Sequence, residues 1–490
     1  MSPILCFAFW TKTHRLSLLS SNFSTMAKLL SRRIVETHVV FFFVSLLLPL
    51  FLPLSSGETV MAPMEKTEQE TLYAAIQGFV GPWWNGSELY PDPCGWTPIQ
   101  GISCDLFDGF WYITIIDIGP VLDNSLECSP DARFTPFIFN LRHLRTLSFY
   151  KCFRSYSSTT LPSSGWRQLA GSLETLEFRS NEGLVGEIPT EIGLLSNLQS
   201  LVLVENGLGG SLPHELGSLV RLRRLSLARN RFLGFIPVSL GTNLNELLIL
   251  DLSSNFLTGS IPSSVSGFTS LLKLDLSNNL LNESLPLELG NLKNLILLDL
   301  QNNSLSGGLI PSVQYMISLE DLVLSNNPLG GNLIDLEWKN LQNITNLDLS
   351  NASITGMIPE SMAELKRLRF LALDNNNLCG SVPPKLAELP DLNALYLNGN
   401  NLTGEIGFSE EFFRRLGRRF GSIENENLCY RAGNDSSAGF LPFGMEKCRE
   451  KEVNKLVDQG SHSRFMTSFG FQASSSSTVF WVSLVFLFMC

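Results

Sequence analysis

Four aspartates recur at regular intervals: Asp251, Asp275, Asp299 and Asp348. Paired carboxylates can serve as general acid and base or hold a divalent cation, so this row is the first place to look for chemistry. Each sits in Leu-Asp-Leu wording, which is ordinary in a repeat, and the reading is a solvated acidic strip with no metal. The remaining chemical groups are scattered. Beyond residue 57 the histidines are His143, His214 and His462, far apart in sequence. No glycine-rich phosphate loop, no Gly-x-Ser-x-Gly elbow and no metal-spaced His pair is present. No enzyme activity and no cofactor are expected. A formal charge of −11 and a pI near 5.1 argue against nucleic acid.

What positions the aspartates is a repeat. Asparagine returns at Asn181, Asn206, Asn230, Asn255, Asn279, Asn303, Asn327, Asn376 and Asn400, with Ala352 in the one gap. Before each, apolar residues follow a Leu-x-x-Leu-x-Leu spacing, as in Leu247, Leu250 and Leu252; after it comes wording such as Gly259, Ile261, Pro262. This is the signature of a leucine-rich repeat. The leucine segment is a short strand with alternate residues inward. One coil cannot hide its leucines, so coils must stack. The buried Asn both donates and accepts, and satisfies backbone groups where the chain leaves the strand. The fold class is therefore an α/β-type leucine-rich repeat solenoid with a curved parallel sheet on its concave face. Ten coils start at Leu173, Leu198, Leu222, Leu247, Leu271, Leu295, Leu319, Ile344, Leu368 and Leu392, and a looser one starts at Leu144. Glu283 replaces the usual Gly in one coil. The coil from Leu319 ends in Leu336-Glu337-Trp338-Lys339-Asn340 and is expected to carry a helical turn outside.

Residues 1–57 read as a secretory signal peptide, with Met26 an alternative start: Lys28, Arg32 and Arg33, then apolar Val39 to Leu54, then Ser55-Ser56-Gly57. The segments expected after it are 58–130, an N-terminal cap; 131–172, an irregular first repeat; 173–405, the solenoid; 406–450, a C-terminal cap; 451–473, a linker; and 474–490, an apolar tail. That tail is too short to span a bilayer and follows small residues, which matches a GPI-attachment signal. Expected localisation is the secretory pathway and the outer face of the plasma membrane.

Secretion makes disulfides legitimate. Cys429 and Cys448 are spaced to close the C-terminal cap, and Cys128 with Cys152 is a further candidate pair. Cys379 is left over and is expected to keep its thiol. Asn-x-Ser/Thr sequons, where N-glycans attach, stand at Asn85, Asn282, Asn302, Asn343, Asn351, Asn401 and Asn434. Asn302 and Asn351 fall just before the spine position, at the edge of the concave sheet. Phe412 to Phe420 reads as a capping helix with phenylalanines inward and arginines outward.

A curved parallel sheet offers rigid, adjacent, outward side chains for recognition. In the N-terminal coils these are Glu177, Arg179, Val202, Val204, Glu205, Arg224, Ser226 and Arg229. The expected ligand-binding set is Arg179, Val202, Val204, Glu205, Arg224 and Arg229.

Cys94-Gly95-Trp96 running to Gly101-Ile102-Ser103-Cys104, after Trp83-Trp84-Asn85, resembles the N-terminal cap of plant leucine-rich repeat proteins. The Leu-x-Gly-x-Ile-Pro ending resembles the plant-specific repeat type. Four stretches outside the generic wording resemble the Piriformospora indica-insensitive protein 2 group of plant receptor-like proteins. They are Trp96-Thr-Pro-Ile-Gln-Gly-Ile-Ser-Cys104 with Asp105-Leu-Phe-Asp-Gly109, Leu173-Glu-Thr-Leu-Glu-Phe-Arg-Ser-Asn181, Leu336-Glu-Trp-Lys-Asn-Leu-Gln342, and Arg418-Arg-Phe-Gly421. The resemblance implies a kinase-free receptor-like protein of the plasma membrane, linked to root growth responses to a beneficial endophytic fungus. It carries over no binding residues. The expected partners are an extracellular peptide or protein ligand and a membrane receptor kinase. A competing reading is a secreted inhibitor of microbial wall-degrading enzymes, since plant polygalacturonase inhibitors use a similar solenoid; the apolar tail favours the receptor.

Overall fold

The computed structural model describes residues 62–120, 125–155, 157–431 and 440–448. The signal segment, the sequon at Asn434, the linker and the apolar tail lie outside the described residues. No helix among the described residues is long and apolar enough to cross a membrane.

Helix α1 (Lys66–Val80) opens the described chain. Its buried residues Leu72, Ala75, Ile76, Phe79 and Val80 recur at helical spacing on one side. It packs at the end of a hairpin made by β1 (Ile102–Phe107) and β2 (Phe110–Ile118), which pair antiparallel. Asp108 and Gly109 turn that hairpin with φ of 49° and 85°. Both central residues are left-handed, the condition for a two-residue turn that matches strand twist. Cys94 and Cys104 are joined beside it, and Cys128 is joined to Cys152. Strand β2 then pairs parallel with β3 (Thr146–Tyr150). The short β4 (Thr159–Thr160) and β3 both pair parallel with β5 (Thr175–Gly186). The cap hairpin is thus the first pair of strands in the solenoid's own sheet.

From there the chain alternates between two sheets. The main sheet takes β5 and β6 (Ser200–Ser211), then β7 (Arg224–Ser226). A lateral sheet takes the second half of β6 and then β8 (Arg231–Gly234), and the pattern repeats as β9 (Ile249–Asp251), β10 (Phe256–Gly259), β11 (Lys273–Asp275), β12 (Leu280–Ser284), β13 (Leu297–Asp299) and β14 (Ser304–Ser306). Odd strands from β5 on, with β6, pair parallel in the main sheet; β8, β10, β12 and β14 pair parallel beside them. Further main-sheet strands follow at Asp321–Val323, Asn346–Asp348, Phe370–Ala372 and Ala394–Tyr396.

Register explains the core. Leu176, Leu201, Leu225, Leu250, Leu274 and Leu298 stand side by side on successive strands, each at most 1% exposed. Burying one such leucine contributes about 2 kcal/mol, and every coil adds several. On the outside, Pro189, Pro213, Pro262 and Pro286 hold φ between −63° and −71°, and a one-turn 3-10 helix follows each. The expected turn after Leu336 is present at Trp338–Asn340, where buried Trp338 donates from Nε1 to the Leu333 carbonyl at 2.8 Å.

The asparagine spine works coil by coil. Asn255 accepts from the Phe232 amide at 3.1 Å and donates to the Leu227 and Leu252 carbonyls, both at 3.0 Å. Asn279, Asn303, Asn327 and Asn400 repeat this scheme. At the gap, Asn376 accepts from both Ala352 and Ile354. The spine also continues past Asn400. Asn425 accepts from the Leu402 amide at 3.0 Å and donates to the Leu397 carbonyl at 2.9 Å. Before it, helix α2 (Glu410–Leu416) is capped by the Ser409 hydroxyl and buries Phe412 and Phe413. Cys429 and Cys448 are joined beyond it. The expectation of a thiol at Cys379 does not hold. Cys379, buried at the lateral sheet, is disulfide-bonded; repeat position alone carries no distance between cysteines.

At the glycine position of the lateral strands, Gly234, Gly259 and Gly307 have φ of 78°, 77° and 82°. Glu283 occupies the same place at φ 66°. A side chain there costs about 1–2 kcal/mol, partly offset by the larger unfolded-state freedom of glycine. Glu283→Gly is expected to raise stability by about 0.5–1 kcal/mol, read as a higher urea midpoint with unchanged slope.

Candidate ligand-binding surface

Outward residues of the main sheet form rows in register. One row runs Glu177, Val202, Ser226, Asp251, Asp275, Asp299. A second sets Tyr150 beside Arg179 and Arg179 beside Val204. A third runs Thr175, Ser200, Arg224, Ile249, Lys273, Leu297, Asp321. Five of the six expected ligand-binding residues are thus partly or fully open to solvent; Arg179, Val204 and Arg224 stand on neighbouring strands, with Glu205 and Arg229 just beyond them.

Val202 is the exception. It is fully buried, and its neighbour Ser226 is 3% exposed. Strands about 4.8 Å apart let long side chains lie over short ones, and Val202 sits among Glu177, Arg179 and Arg224. It is corrected from a contact residue to a floor residue.

The charges divide unequally. Arg179 pairs with Glu177. Glu205 accepts from the Ser180 hydroxyl at 2.7 Å and lies 4.0 Å from Arg229. Among the described residues Arg224 has no carboxylate within ion-pair reach, and its Nε is buried with no hydrogen-bond partner. Ser180, Glu205 and Arg229 share a left-handed backbone, with φ of 55°, 59° and 57°. Each directly precedes a spine Asn, where the chain turns out of the sheet. Glu205 and Ser180 also line a cavity of about 570 Å³ with Tyr150, Lys151 and Arg154.

The aspartate row is not solvated as expected. Asp251 and Asp275 side chains are 19% and 14% exposed, and Lys273 lies 3.6 and 3.2 Å from their Oδ2 atoms. Burial pulls the Lys273 ammonium down, yet Asp251 and Asp275 outweigh it and hold its pKa above the ordinary value. Each aspartate also accepts the amide two residues on, as Asp251 does from Ser253 at 3.2 Å. Burial, reinforced by Asp275, lifts Asp299 to about 6. Among the described residues no group of three or more His, Cys, Asp or Glu is placed to hold a metal.

Sequence reasoning missed an apolar stretch beside Arg224. Ile249 and Leu297 lie in its row, and Leu272 and Ile296, each 39% exposed, lie one position before. The signal was available: these are the x positions of Leu-x-x-Leu-x-Leu, where a polar residue is ordinary.

Leucine-rich repeat family models match residues 220–281 and residues 197–219, 294–316 and 343–365. Together with the stacked coils, the matches show a leucine-rich repeat solenoid, and the chain is similar to plant leucine-rich repeat receptor-like proteins. Over 145 residues it is 55% identical to Piriformospora indica-insensitive protein 2 of Arabidopsis thaliana, covering 30% of this chain and 34% of that protein. It is 34% identical over 186 residues to Receptor like protein 29 of Arabidopsis thaliana, covering 36% and 37%. The matched stretches span about a third of the length of these curated relatives. The solved structure of the plant peptide hormone receptor RGFR1 in complex with RGF2 superposes with a TM-score of 0.53 at 26% identity, covering 64% of this chain and 52% of that one, and PEPR1-AtPEP1 superposes with a TM-score of 0.58 at 27% identity, covering 75% and 52%.

Proposed function

We propose that this chain is a cell-surface receptor-like protein that binds an extracellular peptide or protein on the main sheet between Leu173 and Leu297. It passes the signal to a membrane receptor kinase, in responses to microbes that include growth alongside a beneficial endophytic fungus. The observation that carries the reading is Arg224. It is a cation without an acidic partner, on a rigid strand, at the head of the apolar stretch Ile249, Leu272, Ile296 and Leu297. That pairing fits a segment with one anionic group and apolar side chains. The similarity to the plant peptide hormone receptor RGFR1, solved in complex with RGF2, supports the class of ligand, and the similarity to Piriformospora indica-insensitive protein 2 supports the setting.

The test begins with peptides captured from extracellular fluid by the full-length protein displayed on plant cells. A captured peptide is then synthesised and titrated. Arg224→Glu is expected to cost about 1.5–3 kcal/mol, roughly 10- to 150-fold in affinity. Arg229→Glu costs less, because Glu205 already neutralises part of its charge. Unchanged affinity in Arg179→Glu, Arg224→Glu and Arg229→Glu combined removes the surface from consideration. Tight inhibition of a microbial polygalacturonase by the purified chain would favour the inhibitor reading instead.

A further inference from the structure

The outer face of the lateral sheet holds four large exposed apolar side chains: Leu233 at 52%, Phe235 at 72%, Phe256 at 53% and Leu280 at 52%. Single exposed apolar residues are ordinary, but three on adjacent strands, with Phe235 directly after the first of those strands, form a patch that calls for a cover. The strands are β8, β10 and β12, with Phe256 in register with Leu233 and Thr258 with Leu280. Two residues after Leu280, on the same outward face, stands Asn282 of the sequon Asn282-Glu283-Ser284. Asn282 is exposed, and its side-chain amide makes no hydrogen bond in the described structure. Several other sequon asparagines are engaged, Asn85 and Asn351 among them. Asn302 donates to Asn278 at 2.9 Å and accepts from Asn326 at 2.8 Å. Asn343 donates to the Ile317 carbonyl at 2.9 Å and accepts from Arg367 at 2.7 Å.

Phe235 closes the geometry. A Cβ built on Gly259 would fall 2.4 Å from Phe235 Cδ1, so the ring lies over the Gly259 backbone. Gly259 is in register with Leu281, the residue before Asn282. The ring is therefore about one strand spacing, roughly 4.8 Å, from the strand that carries the sequon.

We propose that Asn282 carries an N-linked glycan whose first sugars lie over Phe235 and Leu280 and shield this patch. A pyranose ring has a C–H face that suits an aromatic or aliphatic surface, while its hydroxyls remain in water. Such a cover removes apolar area from solvent without adding an interface to another protein. The modification needs passage through the secretory route, for which the disulfides Cys94–Cys104, Cys128–Cys152 and Cys429–Cys448 argue.

The test uses the full chain expressed in plant cells. Glycopeptide mass spectrometry is expected to find Asn282 occupied. Asn282→Gln and Ser284→Ala both abolish attachment, by different atoms. Each is expected to raise binding of an apolar-surface dye several-fold and to shift the protein to larger species in gel filtration. Adding Phe235→Ser and Leu280→Ser to either should return both readings to the wild-type level. An unmodified Asn282 overturns the proposal; if that protein is also dimeric, the patch belongs to a second copy. An occupied Asn282 whose loss changes neither reading overturns it too, as does a dye signal that persists after Phe235 and Leu280 are replaced.

Discussion

Asn181→Ala is expected to destabilise the protein by about 4 kcal/mol, read as a lower urea midpoint. Asn181 is fully buried. Its Oδ1 accepts from the Cys152 and Phe153 amides at 2.7 and 3.1 Å. Its Nδ2 donates to the Phe149 and Arg179 carbonyls at 3.1 and 3.0 Å. Alanine leaves two amides with no acceptor and no water, and each unsatisfied buried group costs about 1–3 kcal/mol. Asn230 is the internal comparison. Its Oδ1 has no partner, and it serves only as a donor to Leu203, Leu227 and Ala228. Carbonyls of a sheet have further partners, so Asn230→Ala is expected to cost about half as much. Equal losses at the two positions would show that spine asparagines act by shape and not by satisfying amides.

The second large effect is a dependence on pH set by Glu68. This carboxyl on α1 is 7% exposed and accepts from the Ile113 amide at 3.3 Å. Burial raises its pKa from 4.5 to about 7; the Ile113 amide opposes the rise and Glu65 adds to it. The folded state therefore keeps a proton that the unfolded chain releases near pH 4.5. Between these values the folded state binds more protons, so stability falls as pH rises through the window and is fully present below it. The full shift corresponds to about 3 kcal/mol. Asp299, raised to about 6, acts in the same direction over a narrower range. Thermal unfolding is expected at a higher temperature at pH 5 than at pH 7.5. Glu68→Gln keeps an acceptor for Ile113 and has no proton to lose. It should raise stability at pH 7.5 and flatten most of the pH dependence; a slope unchanged in that variant would assign the effect elsewhere.

The N-terminal end was the least legible part. The Asp108-Gly109 pair is a strong turn signal, but the short runs around it are also compatible with an irregular cap. Only the pairing of β2 with β3 shows that the cap is continuous with the sheet. Asn425 lies at the spine interval from Asn400, yet its coil has Phe420-Gly421 where the leucine wording belongs. The pattern was too degraded to read as a further turn of the spine.

By itself the sequence determined the solenoid, its register and its asparagine seam. Those rest on contacts between equivalent positions one repeat apart, and such contacts are written directly into the period. Tertiary structure alone decided which outward residues meet solvent and which charges are already answered. Val202 is covered, Asp251 and Asp275 are half-buried around Lys273, and Arg224 keeps its charge unpaired because its neighbours on both strands are Ser200 and Ile249. The physical reason is lateral. Exposure and ion pairing depend on the length and charge of side chains on adjacent strands, and a repeat pattern specifies where those side chains stand but not how far they reach.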